Sequence, residues 1–296
     1  MALKRVLFIV NPISGHHKKE NFPTLVRDVI DKSRYECEIV YTERGGHAKE
    51  LAQQAVVDKF DVVAAVGGDG TINEIAQSLI GTEVAMALIP YGSGNGLARC
   101  LHLPLRPKDA LKVLNDHRVI AMDTAAVNDV PFVSIAGIGL DAQTAFDFSN
   151  DSRRGFLSYA KYALENYIHF EPQKYVLTFD DAMTVECSPL LISFANSNQF
   201  GYNAVIAPHS DLCDGLLDIC VLNRPPLGIA PLVASQMMLE KLNHSKYFTD
   251  FKAEKIVVKR PTEAVVNIDG EPIMFPENLE IKILPHNLNV LVKNNG

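Results

Sequence analysis

The chain is short of cysteine, and the cysteines it has do not pair in any motif. Cys37, Cys100, Cys187, Cys213 and Cys220 are five, scattered, with no C-x-x-C spacing. That argues against a zinc cluster and against a disulfide framework, and it suits a reducing compartment. Long apolar runs are also missing. Residues 6–10 form one, but it is too short for a membrane span, has no signal-peptide cleavage site, and stops at Asn11-Pro12 as a buried strand does. The expectation is a cytoplasmic protein whose contact with membrane is peripheral. There is no basic excess either. The formal net charge is −7, so bulk charge does not point to nucleic acid. A Walker G-x-x-x-x-G-K-[ST] pattern is absent, no G-x-G-x-x-G follows the first strand, and no internal repeat stands out.

What is present is ordinary globular composition over 296 residues, 47% hydrophobic and 21% charged, a length that suits two domains. The first 115 or so residues alternate between two periods. Residues 6–10 are an unbroken apolar run, as in a parallel strand covered on both faces. Phe22, Leu25, Val26, Val29 and Ile30 then mark one stripe of a helix. Strand-like segments at 37–41, 61–66 and 85–89 are separated by further helical stripes. This predicts a doubly wound α/β domain with ligands at the C-terminal ends of its strands. After about residue 120, short strands crowd together, the first at 119–127 and 131–135, broken by helices predicted at 156–167 and from Pro225-Pro226 towards Leu242. Such spacing predicts a β-sandwich. The boundary falls near residue 125, giving domains at 1–125 and 126–284.

Four strand ends in the first domain are glycine-rich. They are Asn11-Pro12-Ile13-Ser14-Gly15, Thr42 with Gly45-Gly46-His47-Ala48, Gly67-Gly68-Asp69-Gly70-Thr71-Ile72-Asn73, and Pro90-Tyr91-Gly92-Ser93-Gly94-Asn95. Without a Cβ, glycine lets backbone N–H groups approach a phosphate, and a helix starting there adds its unpaired N–H groups. Thr71 and Ser93 can add hydroxyls. Asp69 would repel a phosphate unless a divalent cation intervened, which suggests a Mg²⁺-nucleotide site. One Gly-Asp-Gly alone is a tight turn. Four glycine-rich turns on consecutive strands of one sheet suggest more.

These segments, in this order, resemble the diacylglycerol kinase catalytic domain family, which includes bacterial lipid kinases and sphingosine kinases. The resemblance extends over nearly the whole chain. It implies an N-terminal nucleotide domain completed by the last strand (about 285–296), a C-terminal β-sandwich for the lipid, and an active site in the cleft between them. ATP would lie on Asn11, Pro12, Ser14, Gly15, Thr42, Gly67, Gly68, Asp69, Gly70, Thr71, Asn73, Ser93, Gly94 and Asn95, with Asp69 helping to hold Mg²⁺. Ser93-Gly94-Asn95 stands where many bacterial members have Gly-Thr-Ala-Asn and is closer to the sphingosine-kinase form, which opens the identity of the lipid.

In the second domain, Gly137-Ile-Gly-Leu-Asp141 reads as just past a strand, and the resemblance turns Asp141 towards the acceptor. Arg153 and Arg154 could meet phosphates or lipid headgroups, or simply start a helix in solvent. The resemblance also implies a structural Mg²⁺ on Asp214 with groups at Asp211 and Leu216, where residues alone read as a polar turn. Asp269-Gly270-Glu271 is first of all a hairpin signal. In extended chain its two carboxylates would project to one side. It matches the family's Asp-Gly-Glu, and one of the two would take the proton from the lipid hydroxyl, Glu271 being favoured. His16, His17, His47 and His102 lack metal-ligand spacing and read as solvated. The expected activity is ATP- and Mg²⁺-dependent phosphorylation of a membrane lipid in phospholipid metabolism. Diacylglycerol comes first as acceptor and a sphingoid base second. An NAD-kinase-like enzyme and a silent sensor are the alternatives, and homodimerisation is open.

Overall fold

The computed structural model describes residues 3–15, 19–149 and 156–294. The chain forms two compact units, residues 1–122 with 286–296, and residues 123–285.

In the first unit, β1 (Lys4–Val10), α1 (Phe22–Val29), β2 (Tyr35–Tyr41), α2 (His47–Val57), β3 (Val62–Gly67), α3 (Asp69–Leu79) and β4 (Ala85–Pro90) alternate as the periodicity predicts. They are followed by α4 (Gly96–Cys100), α5 (Pro107–Asn115) and the start of β5 (His117–Val127). The strands run parallel in the order β2-β1-β3-β4. Every residue of β3 and β4 is buried, because helices cover both faces of the sheet. Phe22, Val26 and Ile30 on one side of α1 pack with Phe8, Val10 and Ile89. Their i, i+4, i+8 spacing is what one helix face offers a flat sheet.

The second unit contains β6 (Val130–Phe132), β7 (Ile135–Gly139), α6 (Leu140–Ser149), α7 (Phe156–His169), β8 (Tyr175–Phe179), β9 (Met183–Cys187), β10 (Leu191–Ala195) and β11 (Leu217–Leu222). It continues with α8 (Ala230–Met238), β12 (Phe248–Ala253), β13 (Lys255–Lys259), β14 (Ala264–Ile268), β15 (Glu271–Phe275) and β16 (Asn278–Lys293). Six strands form an antiparallel sheet in the order β12-β11-β10-β7-β14-β15. The first part of β16 pairs with β13, which pairs with β8 and so with β9. Leu177, Ile256, Val258 and Ile281 pack with Ile192, Phe194, Ile219 and Val266, so this is a sandwich with its core between sheets. The end of β16 lies parallel to β4 through Val290 and Met86, and so closes the first unit's sheet.

Three local expectations change. The prolines at 225 and 226 do not open the last helix; α8 begins only at Ala230, after Gly228. The strand expected at 131–135 divides, with Val130–Phe132 pairing to β5 and a new strand starting at Ile135. Gly137 and Gly139 lie inside β7 rather than past a strand, and Asp141 belongs to the first turn of α6. Here glycine marks a close approach. A Cβ at Gly137 would come within 2.0 Å of the Asp141 carboxylate.

Candidate active site

All four glycine-rich turns emerge at the C-terminal edge of the parallel sheet in the first unit, and each is tied to another by a named contact. Asn11, just past β1, donates from Nδ2 to Thr71 Oγ1 in the first turn of α3 at 3.0 Å. Asp69 joins the third turn to the fourth. Its two carboxylate oxygens accept the backbone N–H groups of Asn95 at 2.8 Å and Gly96 at 2.7 Å. The same turns meet where Gly68 faces Gly92. A Cβ on Gly92 would stand 2.5 Å from the Gly68 Cα, so only glycine lets β3 and β4 end this close together. Glu74 ties in the second turn by accepting N–H from Gly46 at 3.1 Å and Ala48 at 3.2 Å.

The remaining nucleotide candidates lie in these turns. Ser14 donates its hydroxyl to the Asn11 carbonyl at 3.1 Å. Thr42 is buried, and its N–H donates to Val10 O at 2.9 Å. Asn73 is buried in α3. Pro12, Gly15, Gly67, Gly70, Ser93 and Gly94 lie in or beside the same turns. Asn11, Thr42, Arg44, Thr71 and Glu74 line a cavity of about 160 Å³.

Asp69 is an electrostatically expensive residue. Burial pushes its carboxyl above the usual range, while the Gly96 and Asn95 amides pull it back. Arg99 attracts it as well, and the lone pairs that the amides leave open can hold water. The residue therefore fits a hydrated divalent cation beside a nucleotide.

Two residues that sequence reasoning passed over belong to this edge. Lys19 is buried, with its ammonium on the Ser14 carbonyl and 4.9 Å from the centre of the Tyr91 ring. Burial lowers its pKa. Glu74 directly follows the third glycine-rich run but showed no signal of its own; only the fold brings it to Gly46.

In the second unit, Asp269-Gly270 is the two-residue turn of the β14–β15 hairpin, and Ile268 pairs with Glu271. Both turn residues have positive φ, 50° and 92°, as a type I′ turn requires. The two carboxylates therefore do not share one side of an extended strand. Asp269 folds back and accepts N–H from Val133 at 2.7 Å and from Ser134 and Ile135 at 2.9 Å. Glu271 is exposed at the head of β15.

Asp141 buttresses the same hairpin. Its buried carboxylate accepts from Asn267 Nδ2 at 2.9 Å and from Tyr159 OH at 3.1 Å. Asn267 Oδ1 accepts the Gly270 N–H at 2.9 Å. Burial raises the Asp141 carboxyl, and Asn267 and Tyr159 oppose that rise. Arg153 and Arg154 lie outside the described residues, as do His16 and His17. His47 accepts the Glu43 N–H at Nδ1 over 3.1 Å.

The turn expected to hold structural Mg²⁺ already contains a cation. Asp214 Oδ2 lies 2.7 Å from Lys252 Nζ, and Asp214 Oδ1 accepts the Leu216 N–H at 3.0 Å. Asp211 Oδ1 is taken by the Cys213 N–H at 2.9 Å. Asp218 Oδ2 lies 3.5 Å from Lys252 Nζ, within ion-pair range though not hydrogen-bonded. No group of three or more His, Cys, Asp or Glu converges as a metal site among the described residues. As arranged, the Asp214 carboxylate is paired with an ammonium and an amide rather than left open for a divalent ion.

Comparison with known proteins agrees with this layout. Residues 5–127 match the diacylglycerol kinase catalytic domain. Residues 134–292 match the YegS C-terminal NAD kinase beta sandwich-like domain. The chain is 27% identical over 275 residues to the diacylglycerol kinase of Bacillus subtilis, covering 91% of this chain and 90% of that one. It is 26% identical over 278 residues to a Pseudomonas putida protein named "Probable lipid kinase YegS-like", covering 92% and 90%. A crystal structure of a diacylglycerol kinase from Bacillus anthracis superposes with a TM-score of 0.76 at 23% identity, covering 99% of this chain and 98% of that one, and so shares the fold. The chain belongs to the diacylglycerol kinase catalytic domain family, a family of lipid kinases.

Proposed function

We propose that this protein transfers the γ-phosphate of ATP to a hydroxyl of diacylglycerol or a closely related lipid alcohol. The observation that carries the reading is the division of labour at Asp269-Gly270-Glu271. Three backbone amides occupy Asp269, while Glu271 stands exposed just past that two-residue turn, at the head of β15. A lipid alcohol is a weak nucleophile at neutral pH, and a positioned carboxylate corrects that. Glu271 takes the hydroxyl proton as the lipid oxygen bonds to the γ-phosphorus. The bond from that phosphorus to the bridging oxygen breaks, and ADP leaves. Asp141 acts at one remove, through Asn267, as a positioning residue for the hairpin.

In the first unit, the N–H groups of the glycine-rich turns, with Thr71 and Ser93, receive the phosphates. The cavity beside Thr42 and Arg44, at about 160 Å³, suits only part of a nucleotide. Lys19 supplies a positive charge at the first turn. Mg²⁺, held by Asp69 through water, would neutralise charge developing on the phosphates. Catalysis is then mostly positioning and charge neutralisation. The names of the relatives favour diacylglycerol, and we place the reaction on the cytoplasmic face of a membrane.

The test is transfer of ³²P from the γ-position of ATP to diacylglycerol, a sphingoid base and NAD in parallel. Label in diacylglycerol is expected. Label confined to the sphingoid base would change the acceptor. Label only in NAD, or in none of the three, would overturn the lipid-kinase reading.

A further inference from the structure

A soluble helix normally turns charge to water, and α8 does the reverse. Residues 225–239 contain no charged side chain in a chain that is 21% charged. Val233 packs inward, and Leu232 and Met238 are 56% and 39% exposed. Leu227 before the helix and Leu239 after it are 61% and 65% exposed. The patch extends onto α7. Ile168, 52% exposed, and Leu227 line one cavity of about 390 Å³ with Tyr167, Pro225 and Pro226. Arg224 pins the two segments by donating to the carbonyls of Phe170 at 2.8 Å and Tyr167 at 2.9 Å, 5.3 Å from the centre of the Tyr167 ring. The surface is thus built rather than frayed.

Charge at its borders points to an occupant. Across residues 224–246 there are three basic residues, Arg224, Lys241 and Lys246, against one acidic residue, Glu240, in a chain whose net charge is −7. The basic residues flank the apolar stretch at both ends. A second copy laid on it in either direction would oppose cation to cation. An anionic bilayer would meet both ends favourably, with the leucines entering the acyl boundary. Among the described residues no helix is long and apolar enough to cross a membrane, so a contact by this face is made from the surface.

We propose that the end of α7 and residues 225–239 form the surface by which the protein docks on an anionic lipid bilayer. This rests on the lipid-kinase reading for its purpose, but its test does not depend on activity. The full chain and the variant Leu227→Glu/Leu232→Glu/Leu239→Glu are floated with vesicles of equal parts phosphatidylcholine and phosphatidylglycerol. At least about a tenfold loss of vesicle binding is expected, since three leucines leave the acyl boundary. The melting midpoint and turnover on a monomeric short-chain diacylglycerol should not change. Lys241→Gln/Lys246→Gln, which leaves the apolar face intact, should weaken binding only where phosphatidylglycerol is present. Flotation of the leucine variant equal to wild type overturns the proposal. So does a wild-type dimer that the leucine variant dissociates, which would make the face an interface between copies. If wild type phosphorylates no lipid while the variant alone loses flotation, the kinase reading fails and the docking surface stands.

Discussion

The two units hold their carboxylates differently. In the first, Asp69 accepts two amides, and burial raises its carboxyl against the pull of those amides and of Arg99, at the edge where the glycine-rich turns meet. In the second, Asp269 is saturated by three amides and Asp214 by an ammonium and an amide. A carboxylate whose lone pairs are spent on backbone N–H groups is part of the architecture. One that keeps lone pairs, or stands in solvent as Glu271 does, is available for chemistry. The difference separates acidic residues that look alike in the sequence.

The largest expected effect tests that separation at Glu271. Glu271→Gln should lower kcat by about 10²–10⁴-fold, the usual worth of a general base, with an unchanged melting midpoint. Asp69→Asn comes next. Its amide would oppose an N–H of Asn95 or Gly96 and push the third and fourth turns apart. Steady-state kinetics should show about a 10²-fold loss, accompanied by about 1–3 kcal/mol of lost stability in urea unfolding. Asp269→Asn should reverse the emphasis. Removing charge from a carboxylate that anchors residues 133–135 should cost about 1–3 kcal/mol, with a smaller fall in kcat than Glu271→Gln gives.

Smaller effects are expected around Lys252. If its ammonium is the resident cation of the 211–218 turn, EDTA should abolish transfer without shifting the thermal midpoint. Lys252→Met should lower that midpoint in EDTA. A metal-free wild type that melts early would mean that the turn does bind metal. Asp218 gives the matching pH signature. Burial raises its carboxyl to about 6 in the folded protein, against which Lys252 pulls it down. The folded state then binds the proton more tightly than the unfolded state, so this group's contribution falls as pH rises from about 4 through 6 and is flat above. Asp218→Asn should remove a slope on the order of 1–3 kcal/mol from stability against pH, measured by urea unfolding across that range.

The first unit was legible because its signals are local. An apolar run, a glycine-rich turn and a helical stripe repeat within thirty residues, and burial on both faces leaves few other arrangements. The helix α6 was not legible. Its residues, LDAQTAFDFS, carry no clear apolar stripe, and the segment from Gly137 read as just past a strand, whereas Gly137 lies inside β7 and makes room for Asp141. The hairpin signal at Asp269-Gly270 was present, but reading the chain as extended hid that Asp269 turns back. Lys252 and Asp214 are 38 residues apart, and Glu74 and Gly46 are 28 apart; such pairings appear only when strands and helices have closed.

In the proposed reaction Glu271 is the base in phosphoryl transfer to a lipid hydroxyl, while Asp269 holds the turn. The most direct measurement is kcat and the ATP KM for wild type, Glu271→Gln and Asp269→Asn on diacylglycerol in mixed micelles, with melting midpoints taken alongside. The Glu271→Gln enzyme should be folded, keep its ATP KM and lose at least about 10²-fold in kcat, and the Asp269→Asn enzyme should lose stability more than turnover. A folded Glu271→Gln enzyme turning over near the wild-type rate would contradict the assignment of Glu271 as the base.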